Sequence, residues 1–319
     1  MEKTPTGRFA PSPTGRMHLG NVFSALLSWL SVKSLGGQWL LRIEDIDPAR
    51  SRPEYARLLM DDLEWLGLHW DGDPLWQSQR SDIYEHYFQK LQEQGLTYPC
   101  YCTRAELLAT QAPHENDGRV VYPGTCRPNS PSAPAPTNKP FSTRLIVPDC
   151  DMAFTDGHYG YQHINLASQV GDFIIRRKDG AWAYQLAVVI DDALMGVTEV
   201  VRGRDLLLSS PQQMYVARLL GFAAPDFFHF PLLINTQGQR LSKRDSSLDM
   251  GVLRQHFTAS EIIGLLACLA GLLPQCHPIT PEELLPLFNW EKIPHHNITA
   301  EGSKGSPHQS ESQSVSLLS

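Results

Sequence analysis

At 319 residues, with 42% apolar and 19% charged side chains, the chain has ordinary globular composition and enough length for two or three structural units. Its formal charge of -7 makes the surface as a whole repel phosphate polymers, which argues against a generic RNA-coating protein and leaves any nucleic-acid contact to local basic patches. Residues 1–15 hold no signal-peptide core, and the longest apolar run, 262–273, is shorter than the roughly 20 residues that span a bilayer, so a cytoplasmic chain without membrane contact is expected.

Residues 6–10 (TGRFA) read as a short strand, and Pro11, Pro13 and Gly15 force a loop after it. Phe23, Leu26, Leu27 and Leu30 then recur at helical spacing, Gly36 and Gly37 stop that helix, and 38–43 (QWLLRI) reads as a buried strand. Strand, loop, helix and strand in this order predict a right-handed crossover in a parallel sheet, with a ligand site at the carboxyl ends of the strands beside the helix N-terminus. Residues 10–21 fall there. Helical patterns follow at 53–66 and 81–94, separated by the turn-rich WDGDP at 70–74. The composition changes over 100–140, which holds three clustered cysteines and ends in RPNSPSAPAPTNKP, and this reads as a small inserted module. Strands are expected again at 172–176, 182–189 and 197–201, followed by a helix opened by a capping box from Ser210 to Gln213, with Pro211 in its first turn. Capping boxes at 258–261 and 280–283 open two further helices, the run 262–273 reads as a buried helix, and the closing EGSKGSPHQSESQSVSLLS has the composition of a disordered tail.

Two segments have the chemistry to handle phosphates. In the first, His18 and Gly20 stand before a helix N-terminus. Gly20 lets a nucleotide approach the backbone, the helix dipole favours anions, and His18 can donate to a triphosphate oxygen as charge develops. Alone this would as readily be a proline-rich turn. In the second, Arg240, Leu241, Ser242, Lys243 and Arg244 follow the turn-prone NTQGQ, and Lys243 can steady a leaving pyrophosphate by point-charge stabilisation. Alone, such a basic loop is most often simply solvated.

Together with RFAPSPTG at 8–15, RIEDID at 42–47, AYQLAVVIDD at 183–192 and VVRGRDLL at 200–207, these segments resemble, in the right order, the glutamyl branch of the class I aminoacyl-tRNA synthetases over residues 7–245. Two departures are visible: the family's HIGH tetrad stands here as His18, Leu19, Gly20 and Asn21, and its KMSKS pentad has Arg240, Leu241 and Arg244. The resemblance implies an α/β fold: a Rossmann-like parallel-sheet catalytic domain in two parts, 1–75 and 181–245, an inserted acceptor-type module at 76–180 with a zinc site, a helical stem-contact-like unit at 246–295 and a disordered tail at 296–319. It implies that Arg8, Phe9, Ala10, Pro11, Ser12, Glu44, Tyr184 and Arg202 bind glutamate, with Glu44 meeting the ammonium. Arginine suits the two carboxylates because its fork is bidentate, and which arginine takes which carboxylate stays unassigned. ATP, carried with magnesium, falls to Pro11, His18, Gly20, Asn21, Arg240, Leu241, Ser242, Lys243 and Arg244, and His18 and Lys243 are the catalytic pair.

Glutamyl-tRNA synthetases continue into a sizeable anticodon-binding region, whereas only 75 residues follow Arg244 here. A short chain of this kind with a Cys-x-Cys insertion is similar to the glutamyl-queuosine tRNA(Asp) synthetases. That resemblance implies a monomer that activates L-glutamate and transfers it to the queuosine of tRNA(Asp). A truncated synthetase charging tRNA(Glu), or a non-catalytic zinc-containing RNA-binding protein on the same fold, are the alternatives.

Six cysteines in a reducing compartment are not expected to form a disulfide framework. Cys100, Cys102 and Cys126 instead offer three soft ligands for one structural zinc ion. For the fourth ligand, spacing favours His114 or Cys150, and the family resemblance points to Tyr122.

Overall fold

The computed structural model describes residues 4–103, 105–106, 121–130, 138–241, 248–301 and 315–316. The expected opening unit is present: β1 (Thr6–Phe9), α1 (Leu19–Lys33) and β2 (Gln38–Ile43), with the strands parallel and Thr6 opposite Gln38. A Cβ on Gly37 would lie 2.3 Å from the Pro5 carbonyl, so the turn from helix to strand needs glycine there. After α2 (Pro53–Trp65), the short β3 (Leu75–Trp76) extends the sheet on the far side of β2.

The next α-helix is α3 (Ser81–Glu93). An antiparallel sheet is built from β4 (Thr97–Cys100), β5 (Ser142–Leu145) and, later, β8 (Phe173–Arg176). Between these come the hairpin of β6 (Asp151–Asp156) and β7 (Gly160–Asn165), and the short α4 (Leu166–Gln169). The chain returns through α5 (Tyr184–Leu194) to β9 (Glu199–Gly203), α6 (Ser209–Leu220) and β10 (Asp226–Phe230), and β9 and β10 are again parallel. The Thr198 amide donates to the Thr6 carbonyl at 2.9 Å, so this second ladder abuts β1 and the strands run β3-β2-β1-β9-β10. The chain leaves β1 in one direction and comes back on its other side, which opens a crevice between β1 and β9 at their carboxyl ends.

Beyond β11 (Leu233–Ile234) lie α7 (Met250–His256), α8 (Ala259–Leu269), α9 (Pro281–Leu284), β12 (Ile298–Glu301) and β13 (Val315–Ser316). Thr258 with Glu261 and Thr280 with Glu283 form the expected capping boxes. Ile262, Ile263 and Leu266 of α8 share one apolar core with Phe23, Leu26 and Leu27 of α1 and Leu59 of α2, while a second core joins Tyr84 and Phe88 of α3 to Leu186, Ile190 and Tyr215. Among the described residues no helix is long and apolar enough to cross a membrane.

Four expectations are corrected. Residues 182–189 are not a strand: strand character lasts for one bridge, Trp182 to Arg176, and α5 begins at Tyr184. Residues 186–190 are all buried, so the run shows neither a period of two nor one of 3.6, and its β-branched content misleads. The box from Ser210 to Gln213 does not cap its helix; α6 starts at Ser209 without a side-chain cap, and both side chains turn to Arg202 instead. The expectation of no disulfide framework meets one disulfide, from Cys268 in the last turn of α8 to Cys276, eight residues further along the chain. In the tail expected to be disordered, the strand β12 spans 298–301 and pairs in parallel with β13, while 302–314 and 317–319 lie outside the described residues.

Candidate active site

A cavity of about 500 Å³ occupies the crevice. It gathers Arg8, Phe9, Ala10, Pro11 and Ser12 from the end of β1, His18, Gly20 and Asn21 from the start of α1, and Glu44 after β2. Tyr184 from α5, Arg202 from β9, and Arg240 and Leu241 complete the set. The remaining residues expected here, Ser242, Lys243 and Arg244, lie outside the described residues.

The floor is a buried ion cluster. Arg42, fully buried, donates to Asp192 at 2.6 Å and to Glu44 at 3.1 Å, and Arg8 Nε meets the same Asp192 oxygen at 3.0 Å. Against its burial, the Arg42 and Arg8 guanidiniums hold the Asp192 carboxyl below the usual carboxylate range. Burial wins at Glu44 and pushes its carboxyl up in spite of Arg42 and Arg8. An ammonium arriving beside Glu44 would supply the charge its ionised form lacks. Nε is the only atom of the Arg8 guanidinium bonded among the described residues, and its two terminal nitrogens remain available to a ligand in the cavity it lines.

Arg202 is held differently. Its Nε donates to His229 at 3.0 Å, Nη1 to Gln213 at 2.7 Å and Tyr184 at 3.4 Å, and Nη2 to Ser210 at 2.7 Å and the Leu206 carbonyl at 3.3 Å. Each partner is neutral. The guanidinium is therefore fixed in position with no carboxylate bonded to it among the described residues, and burial, with Arg8 nearby, pushes its pKa down. An anion in the cavity would relieve that uncompensated charge.

At the other end, His18 is the N-cap of α1: its Nδ1 accepts from the Gly20 amide at 3.1 Å, and Asn21 Oδ1 accepts from the His18 amide. With Nδ1 accepting, the neutral ring carries its proton on Nε2. A Cβ on Gly20 would come within 3.0 Å of the His18 ring, which explains glycine at that turn. The Met250 amide donates to the Met17 carbonyl at 2.9 Å, and buried Asp62 accepts from Arg16 at 3.0 Å and Arg254 at 2.8 Å, so the segments on either side of the phosphate end are tied together. Arg240 pairs with Asp205 at the rim.

The cysteines also converge. The sulfurs of Cys100, Cys102 and Cys126 lie within 4.8 Å of one another, with Cys102 and Cys126 3.6 Å apart. Tyr122 Oη stands 3.5 Å from Cys100 Sγ and 3.8 Å from Cys102 Sγ. A zinc tetrahedron with arms of ~2.3 Å has edges of ~3.8 Å, so three thiolates and a phenol oxygen at these separations fit that ion. Burial pushes the Tyr122 phenol up and the Cys102 thiol up to about 11, and a bound cation is what would displace those protons. The Arg144 guanidinium lies 3.6 Å from the centre of the Tyr122 ring and favours an anionic ligand set. His114 lies outside the described residues, and Cys150 is not part of the cluster.

Sequence reasoning missed Arg42 and Asp192 as the ion cluster, and Asp156, His229, Ser210 and Gln213 around Arg202. The signal for Asp192 was present: two adjacent acids end an otherwise apolar helix, and such acids need buried cations. His229 stands in DFFHF, where nothing local distinguishes it from an ordinary core histidine.

The model for the tRNA synthetases class I (E and Q), catalytic domain, matches residues 6–270. The glutamyl-Q tRNA(Asp) synthetase of Symbiobacterium thermophilum is 46% identical over 90% of the chain and 93% of its own length, and that of Neisseria meningitidis is 44% identical over 92% and 99%. Among solved structures, a glutamate tRNA ligase from Elizabethkingia meningosepticum in complex with its amino acid superposes with a TM-score of 0.77 at 28% identity, over 93% of this chain and 67% of that one.

Proposed function

The chain belongs to the class I tRNA synthetases (E and Q), in the branch of the glutamyl-Q tRNA(Asp) synthetases, and on that premise we propose that it activates L-glutamate with ATP and esterifies the queuosine of tRNA(Asp). One observation carries this reading: the cavity presents two buried guanidiniums, Arg8 and Arg202, and one buried carboxylate, Glu44. That is the charge complement of glutamate, which brings two carboxylates and one ammonium. Glutamine would leave one of the arginines facing a neutral amide, and a buried charge without a counter-charge is costly.

In the first step an α-carboxylate oxygen attacks the α-phosphorus of ATP in line, the bond to the bridging oxygen breaks, and pyrophosphate leaves with that electron pair. Arg8, Arg202 and Glu44 hold the amino acid, His18 lines the phosphate end of the cavity, and Lys243 steadies the departing pyrophosphate. Magnesium accompanies the nucleotide and spreads the charge of its phosphates. In the second step a hydroxyl of the cyclopentenediol attacks the glutamyl carbonyl, loses its proton, and AMP departs, leaving an ester.

Cys100, Cys102, Cys126 and Tyr122 hold one structural zinc ion in this reading; none of the four lines the cavity. The ion would fasten β4 to the segment around 122–126.

The deciding experiment presents the protein with labelled glutamate and, in separate reactions, tRNA(Asp) with queuosine, tRNA(Asp) without it, and tRNA(Glu). Label on the modified preparation alone is the expected result. Label on tRNA(Glu) would favour a synthetase of the ordinary glutamate type, a possibility motivated by the likeness to the glutamate tRNA ligase.

A further inference from the structure

We infer that Asp156 and His229 form a relay of fixed proton position that orients Arg202 without neutralising it, which makes both of them positioning residues for the amino-acid end of the cavity. The inference rests on the reading of that cavity as a glutamate site. Both side chains are wholly buried, Asp156 at the end of β6 and His229 on β10. His229 Nδ1 lies 2.5 Å from Asp156 Oδ2, and its Nε2 lies 3.0 Å from Arg202 Nε. An arginine Nε carries a proton and no lone pair, so His229 Nε2 must be the acceptor, and the single ring proton of the neutral imidazole sits on Nδ1 and is donated to Asp156. One tautomer satisfies both contacts. The imidazolium would aim a second N–H at the guanidinium.

The arrangement has a physical purpose. A carboxylate bonded directly to Arg202 would fix it equally well, yet would also cancel the charge that a substrate carboxylate has to feel. Interposing a neutral ring transmits the orienting hydrogen bond and moves the negative charge one residue away.

The relay is itself held rigid. Asp156 Oδ1 accepts from the amides of His158 at 3.0 Å and Tyr159 at 2.8 Å, which ties the carboxylate to the turn of its own hairpin. The Gly157 amide donates to the Phe227 carbonyl at 2.8 Å, and a Cβ on Gly157 would come within 1.9 Å of the Phe228 ring. Only glycine lets the hairpin approach β10 this closely, so the β6–β7 hairpin supplies the anchor for a residue of the catalytic cavity.

The charged groups facing His229 are Asp156 from β6, Arg202 from β9 and Asp205 beyond it; Ser210 of α6 is a neutral neighbour at 3.4 Å. Burial, with Arg202, pushes the imidazole below its ordinary value despite Asp156, so the ring is neutral at neutral pH and the acceptor is lost only on acidification.

The test uses the intact protein labelled with 15N-histidine, together with glutamate-dependent exchange of pyrophosphate into ATP. In long-range proton–nitrogen spectra at pH 7, His229, assigned by its absence from His229→Gln, should show a protonated Nδ1 and a bare Nε2. His229→Leu and Asp156→Asn should raise KM for glutamate at least tenfold while KM for ATP stays within twofold. His229→Gln, whose amide oxygen can still accept from Arg202, should recover much of the loss and flatten the rise of KM for glutamate on the acid side. A protonated Nε2 in the native protein would overturn the relay. So would folded variants with an unchanged KM for glutamate, or losses shared equally between glutamate and ATP. Should the native protein show the expected tautomer and yet no exchange with glutamate, the relay would stand and the substrate reading would fall.

Discussion

Replacing Asp192 with asparagine removes the one carboxylate shared by Arg8 and Arg42, at 3.0 and 2.6 Å, from a cluster whose guanidiniums are 5% and 0% exposed. At an effective dielectric near 20, each of these contacts is worth roughly 6 kcal/mol of attraction, much of which offsets the desolvation of the three groups. The substitution leaves Arg42 with Glu44 at 3.1 Å and Asp191 at 4.0 Å, and leaves Arg8 with no ion pair within 4 Å among the described residues. A broken buried pair of this kind costs about 3–5 kcal/mol. Equilibrium urea unfolding at pH 7, followed by far-ultraviolet circular dichroism, should therefore show that loss in Asp192→Asn, with the first transition at lower urea. The pH dependence has a definite sign. The Asp192 carboxyl is depressed in the folded protein, so its contribution is fully present above the unfolded value of about 3.9 and is lost as pH falls through the lower folded value. The gap between native protein and variant should thus hold from pH 7 down to about 4 and close only below it. A loss under 1 kcal/mol at pH 7, or a gap that closes between pH 6 and 5, would show that the cluster is not organised around this charge.

Arg202→Gln should cut the exchange reaction with glutamate a hundredfold or more and bring glutamate and glutamine within tenfold of each other, measured as kcat/KM for each amino acid. Tyr122→Phe keeps three thiolates and loses the oxygen at 3.5 Å from Cys100, so zinc affinity, read by competition with a chelator, should fall at least tenfold. Gly264→Ala places a methyl carbon 1.9 Å from the His277 carbonyl oxygen, and thermal unfolding should report a loss of about 2–3 kcal/mol through separation of α8 from the 277–278 segment. Lys243→Ala should slow exchange by two orders of magnitude or more with an unchanged unfolding curve.

The parts of this fold that the sequence made legible are those whose determinants are local. The first strand, loop, helix and strand follow from proline and glycine placement and from apolar spacing on α1, and the boxes at Thr258 and Thr280 follow from three-residue patterns. Where burial erased the periodicity, as at 186–190, reading the chain by pattern gave strand for helix. Ser210 and Gln213 carry the residue types of a cap, and their actual partner, Arg202, comes from a different element. The candidate site divides in the same way. Arg8, His18, Glu44 and Arg202 sit in recognisable segments and do line one cavity. Asp156 and His229 are separated by 73 residues and meet only because the β6–β7 hairpin folds back on β10. No spacing rule can foresee that contact.

Glutamate selection depends on the pairing of Arg8, Arg202 and Glu44 with the charges of one amino acid. Exchange of labelled pyrophosphate into ATP, measured without tRNA for glutamate, glutamine and aspartate side by side, tests it most directly. Robust exchange with glutamate and at least a hundredfold lower kcat/KM with the other two are expected; equal exchange with glutamine, or none with glutamate, would contradict that pairing.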